Sequence, residues 1–414
     1  LHGAEAPPGT SVAVNLVAGE TREGIELRMA PPNQGAGVPV APPAKMPIVG
    51  PAMPLKGTAG RKIFTAEEPI FSAPCFDERK MYFGACDGNF YCLDKLTGEV
   101  FWKTEGLTRV DSNPVIHDGM VFFAAVDGRL LALDTKSGKT IWEQTFDGCG
   151  YTSPQIHDGK LVVATARFVL ELNPADGKLL HAYPLPENRT PGDPGIVAVT
   201  DEFIVTVINT DFGFGDSNVG PSGTSTLATF SRDGTKKKWT VPLGGVSLCE
   251  IFCDEKHCFV GTRDGLVSAY DLNDGTVAWQ RPCGPLFADH TNVWPSHGGV
   301  DTGKLLVFVV NHQAMGAPGA LVAISKADGR VQWSIQTDTY LSGAAMTRNN
   351  SIVALSRTGQ LFRVGRDDGS LQSSHTIHSG GGAGFAGMVT DGHYLYTYGD
   401  DKSIGRYDLR ELAR

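Results

Sequence analysis

One short phrase recurs through this chain and limits what it can fold into: "FYCLDKLTGEVFW" (90–102), "LLALDTKSGKTIW" (130–142), "LVSAYDLNDGTVAW" (266–279) and "GALVAISKADGRVQW" (319–333). Each copy is an apolar run, a turn ending in glycine, and a second run that closes on tryptophan. The turn glycine returns as Gly98, Gly138, Gly177, Gly234, Gly275, Gly329 and Gly369, about 40 residues apart wherever no insertion intervenes. That period is the length of a propeller blade, a unit that cannot bury its faces alone and stacks them on its neighbours.

Each unit holds four β-like runs. In the second they are "DSNPVIHDG" (111–119), "MVFFAAVDG" (120–128), "RLLALDTKSG" (129–138) and "KTIWEQTF" (139–146). We name them strands A to D, counting outward from the axis. Asp-Gly, Ser-Gly and Thr-Gly pairs between them supply the positive φ that tight hairpins need. The A–B–C pattern begins eight times, near residues 71, 111, 152, 193, 248, 297, 342 and 386. The last copy stops before its D strand. The missing strand is expected at the other end of the chain, in "TAGRKIF" (58–64), where Gly60 precedes Phe64 as Gly138 precedes Trp142. The fold expected is therefore all-β: an eight-bladed β-propeller of four-stranded antiparallel blades, closed by an N-terminal strand that completes the last blade. Closure removes two open sheet edges.

Two regions follow, a Pro-rich extended arm over 1–57 and the propeller over 58–414. Residues 1–56 carry ten of the 25 prolines, too few apolar groups to fold alone, and two strand-like runs, "SVAVNLV" (11–17) and "GIELRM" (24–29). The arm is expected to lie on the propeller or on a neighbouring subunit. Net charge −9 provides no field to draw in nucleic acid or an anionic membrane, and no apolar run reaches the length of a membrane span. Leu1 in place of Met raises the expectation that an upstream segment such as a signal peptide was removed. Together with eight cysteines it points to an extracytoplasmic compartment, whether periplasm, secreted space or organelle lumen.

The tryptophans stand at one fixed point of successive outer strands, so they are spread around a ring and cannot converge on one ligand. Trp102, Trp142, Trp239, Trp279 and Trp333, with Phe64 in the closing strand, are thus expected to pack blade on blade, each burial contributing roughly 2–3 kcal/mol.

The pattern Ala-x-Asp-x-x-Ser/Thr-Gly-x-x-x-Trp resembles the pyrroloquinoline-quinone (PQQ) repeat, and residues 58–414 resemble the quinoprotein-dehydrogenase-like propeller superfamily. The likeness fades in the third unit (Asn173, His181), the fourth (a shifted Trp239) and the seventh (Val364, Ser373). In that superfamily the D-strand tryptophan docks between blades. The resemblance offers a PQQ-dependent oxidoreductase as one reading. However, members that bind the quinone carry adjacent cysteines and an acidic and amide set around Ca²⁺, whereas no two cysteines are adjacent here and no haem-attachment Cys-x-x-Cys-His occurs. Neither PQQ nor Ca²⁺ is expected. A second resemblance, to the propeller lipoprotein of the outer-membrane barrel-assembly machinery, implies a non-enzymatic scaffold with protein partners. A glycan- or ligand-binding propeller is the third reading.

Long segments cluster on one rim, because B–C and D–A connections of a four-stranded meander emerge together. They are "NTDFGFGDSNVGPSGTST" (209–226), "NHQAMGAPG" (311–319), "PLPENRTPGDPG" (184–195), "RPCGPLFADHTNVWPSHGG" (281–299) and "HTIHSGGGAGFAG" (375–387). Phe212, Phe214, Phe287, His290, Trp294 and His312 are the candidate contacts of a docking face. His117 and His157 occupy equivalent "IHDG" turns, so repetition explains them. His290, His297 and His312 share the long-loop face without metal-ligand spacing. In "IFCDEKHCFV" (251–260) a short turn sets Cys253 opposite Cys258, where a cross-strand disulfide or two buried thiols would both fit.

Overall fold

The computed structural model describes residues 53–54, 60–148, 151–190, 193, 195–213, 222–233, 238–247, 249–283, 293–312, 318–337, 339–347, 349–377 and 386–412. Among these there is no α-helix; the chain forms eight sheets, seven of four strands and one of five. Blade 2 represents the plan: Val115–His117, Met120–Ala124, Arg129–Asp134 and Thr140–Thr145 are its A to D strands, an antiparallel meander. Glycine at φ 71° (Gly138) turns C into D, a backbone region that side chains with a Cβ rarely enter.

The ring closes as the sequence indicates. Gly60–Thr65 runs antiparallel to Ser403–Asp408 and becomes the D strand of blade 8. Pairing adds a detail the spacing missed. Arg61, rather than Phe64, lies opposite Arg406, the strand-C position that faces tryptophan in other blades; here the register shift falls between Lys62 and Phe64, beyond that pair, instead of just before it as in blade 2. Phe64 still reaches the neighbouring blade, with its ring 5.0 Å from Tyr91 and 5.7 Å from Phe83.

The core is annular. Each of the eight apolar clusters draws on two adjacent blades, for example Phe122 and Trp142 of blade 2 with Leu161 and Val163 of blade 3. Strands B and C are almost wholly buried, whereas D strands alternate and leave Val100, Ile141, Leu179, Val277 and Leu371 exposed on the outside. On the axial side the segments entering strand A lock to one another at a step of one blade. Ser72 Oγ donates to the Ser112 carbonyl, Asn113 Oδ1 accepts from Ala73 N–H, and Ser153 Oγ accepts from Asn113 N–H.

The fifth strand is unexpected. Met53–Pro54 pairs in parallel with the D strand of blade 7 (Leu371–Thr376), Met53 opposite His375 and Pro54 opposite Thr376. Strand-like runs 11–17 and 24–29 lie outside the described residues.

Candidate functional sites: the extended hairpins and the gaps between blades

Two blades depart from the plan on the long-loop side. In blade 4 strands B and C span Phe203–Gly213 and Ser222–Ser231, and in blade 6 strands A and B span Val293–Asp301 and Leu305–His312, against five or six residues for strands B and C of blade 2. The insertions therefore begin as continued ladder, with Gly213 opposite Ser222 and Val293 opposite His312. Phe212, Trp294 and His312 sit in these strands instead of in loops, because added β-formers extend an existing hydrogen-bonded pair more favourably than they leave backbone groups unpaired. Their side chains, and all of Phe214, Phe287, His290 and His297 except the strand backbone of His297, lie outside the described residues. Buried asparagines anchor both extensions. Asn209 Nδ2 donates to the Ser247 carbonyl (3.2 Å), and Asn311 exchanges two hydrogen bonds of 2.9 Å with Leu341 of the next blade.

The repeat's tryptophan and glycine meet between blades. Trp102, Trp142, Trp239, Trp279 and Trp333 each cross to the next blade's C–D turn, where a Cβ added to Gly138, Gly177, Gly275, Gly329 or Gly369 would stand 2.4–2.9 Å from the indole. Each indole Nε1–H donates to a carbonyl three residues before that glycine: Thr135 (3.2 Å), Pro174 (2.7 Å), Leu272 (2.9 Å), Lys326 (2.9 Å) and Arg366 (3.2 Å). The apolar face of the ring and its single donor are both satisfied there. Because the five indoles occupy five different gaps, none of them is placed to sandwich a quinone with another.

Opposite each tryptophan strand C carries a small residue: Cys92, Ala132, Thr229, Ala269 and Ala323. The three remaining gaps reverse this. His181, Ser373 and Arg61 replace the indole, and their cross-strand partners are Glu171, Arg363 and Arg406. A long polar side chain on C thus faces the position that holds the indole elsewhere, so a charged residue at that point of strand C is the sequence signal that could have found these gaps. Between blades 3 and 4, Glu171 is 1% exposed and bonds Lys160 (2.8 Å) and Arg232 (3.0 Å). Burial alone would push its carboxyl up; hydrogen bonds from Lys160 and Arg232 overcome that and hold it below the ordinary range. Between blades 8 and 1, Arg61 and Arg406 both donate to the Leu96 carbonyl.

Arg232 also reaches Asp158 (2.7 Å) and holds that carboxyl below its usual value. Asp158, His157 and Asp201 stand close enough to resemble a cation site, with His157 Nε2 3.5 Å and 3.4 Å from the two carboxylates. The guanidinium already supplies the positive charge there, and Asp201 is exposed, so the arrangement reads as an ion-pair network.

Cys253 and Cys258 are cross-strand partners as the turn spacing indicates, and both are free thiols with no disulfide between them. They pack in the apolar cluster between blades 4 and 5, where burial pushes the Cys253 thiol up to about 12 and Cys258 well above its usual value. Burial likewise raises Cys86, Cys92 and Cys249 to about 12, and Cys75 and Cys283 further. None of these seven carries the depressed pKa of an activated nucleophile.

A family model described as outer membrane protein assembly factor BamB matches residues 58–281 and 223–411. No curated protein matches the chain in sequence. Among solved structures, the computationally designed Ika8 protein aligns at TM-score 0.61 and 14% identity, covering 84% of this chain and 98% of its own. BamB from Moraxella catarrhalis aligns at 0.54 and 16%, covering 71% and 84%. Quinohemoprotein alcohol dehydrogenase ADHIIG from Pseudomonas putida HK5 aligns at 0.61 and 14%, covering 88% and 79%. A likeness at such identity, running from a designed protein to a dehydrogenase, is one of fold. No helix among the described residues is long and apolar enough to cross a membrane.

Proposed function

Because the chain belongs to the family described as outer membrane protein assembly factor BamB, we propose that it is a non-catalytic scaffold, an extracytoplasmic component of a larger assembly that binds protein partners. The observation that carries this reading is the pair of extended strand pairs in blades 4 and 6, rising on one side of the ring. Backbone-paired hairpins are rigid projections, and rigid projections suit docking because little entropy is lost on binding. Phe212, Phe214, Phe287, His290, Trp294 and His312 are the proposed contact set. The proline-rich arm, 1–57, is proposed to extend along the body or a neighbour from its parallel pairing with blade 7.

Photo-crosslinkers placed at Thr210 and Thr224, against controls at Lys136 and Lys178 on the opposite turns, test the face. The expected result is one recurrent partner captured from the first pair alone; equal yields from both pairs would refute it. We propose no quinone cofactor. Addition of PQQ with Ca²⁺ should leave both the absorption spectrum and dye-linked alcohol oxidation unchanged, and a bound-quinone band would overturn that part.

A further inference from the structure

The gap between blades 7 and 8 is set apart from the other two that lack tryptophan. There Ser373 stands in place of the indole, and Ser373 Oγ and His375 Nε2 both donate to the Leu412 carbonyl (2.9 Å each). Leu412, 1% exposed, thus enters the slot that an indole fills elsewhere. It does not fill it: a cavity of about 240 Å³ remains. Its polar wall includes Arg363, His375, His393 and Arg410 beside the neutral Thr347, Asn349 and Ser373, its apolar wall includes Leu361 and Leu409, and no acidic residue is among those that line it. Arg410 is already neutralised by Asp408 at 2.6 Å. Arg363 is not: it lines the cavity, and among the described residues no carboxylate lies within ion-pair distance of its guanidinium.

Its two counterparts are paired, Glu171 with Lys160 and Arg232, and Arg406 with the Leu96 carbonyl. We propose that the cavity is a binding site for a small organic oxyanion, whose carboxylate or phosphate pairs with Arg363 while a short apolar body lies on Leu361 and Leu409. Guanidinium forks match both head groups. A cationic hollow in a chain of net charge −9 also excludes the reverse assignment, a metal cation.

The test uses the full chain with inorganic phosphate and butyrate as probes, each titrated against chloride at constant ionic strength. Thermal midpoints should rise saturably with at least one probe, as linkage requires, and Arg363→Met should weaken that binding by about tenfold or more, with Arg363→Lys recovering part. Saturation by phosphate alone assigns a phosphorylated ligand, and by butyrate alone a carboxylate; both support the site. No saturable rise with either probe, or an unchanged affinity in a folded Arg363→Met, overturns it. Should that variant not fold, the His375 and His393 ring resonances of the unaltered protein decide. They shift saturably if the site exists, and resonances that stay fixed refute it.

Discussion

Gly177 shows how one residue can be required by a neighbour in another blade. Its φ of 69° already disfavours a side chain, and an added Cβ would stand 2.9 Å from the Trp142 ring. Gly177→Ala should therefore cost about 1 kcal/mol for the backbone and more for the collision. Trp142→Ala removes a side chain 9% exposed whose Nε1–H bonds Pro174, and should cost roughly 3–5 kcal/mol. Combined, the two should cost less than their sum, since the collision disappears with the ring while the backbone part remains. Urea unfolding of the four proteins measures this, and strict additivity would show that ring and turn do not touch. Thiols give a second residue-level expectation. At pH 8 in the folded protein, iodoacetamide should leave Cys249, Cys258 and Cys283 unlabelled, because all are buried and their pKa values are raised. Peptide mapping after brief alkylation checks it.

At the scale of an element, the blade 3–4 gap exchanges indole packing for ions and so acquires a pH dependence of its own. The folded-state pKa of Glu171 is depressed, so its contribution is fully present above the unfolded carboxylate value, about 4.3. It is lost as pH falls through the folded value. Glu171→Gln should thus be less stable than the parent by about 3 kcal/mol at neutral pH, with the difference closing below about pH 4. Denaturation midpoints between pH 7 and pH 3 test the sign, and a gap that widens on acidification would contradict the pairing. This gap was only half legible in the sequence. His181 could be read as a lapse in the repeat, whereas the compensating Glu171 emerged only when strand pairing set the two side by side. The ladder register of Phe64 was hidden for the same reason: counting from a glycine cannot reveal where a ladder shifts.

Among the described residues the molecule is a closed ring of eight blade-to-blade gaps, so its cooperativity depends on the last joint. Removing residues 60–65 strips the D strand from blade 8 and exposes the edge of Ser403–Asp408. The expected outcome is loss of a single cooperative calorimetric transition together with oligomers on size exclusion; a truncated chain that melts sharply as a monomer would show that closure is dispensable. The parallel pairing of Met53–Pro54 with Leu371–Thr376 carries the chain past this joint and ties blade 7 to blade 8 from outside.

By itself the sequence determined the class, the number of blades, the turn chemistry and the closing segment, because each depends on local periodicity and on φ values that only certain residues adopt. It also settled that the repeat is architectural, since evenly spaced rings cannot share a ligand. Tertiary structure alone decided that each tryptophan's partner is the following blade's glycine and that two insertions are continued strands. It alone showed that charged residues stand in wherever the indole is absent. The reason is that blade-to-blade contacts join residues roughly 30–60 positions apart, at distances fixed by ring curvature and pairing register, which no local pattern encodes.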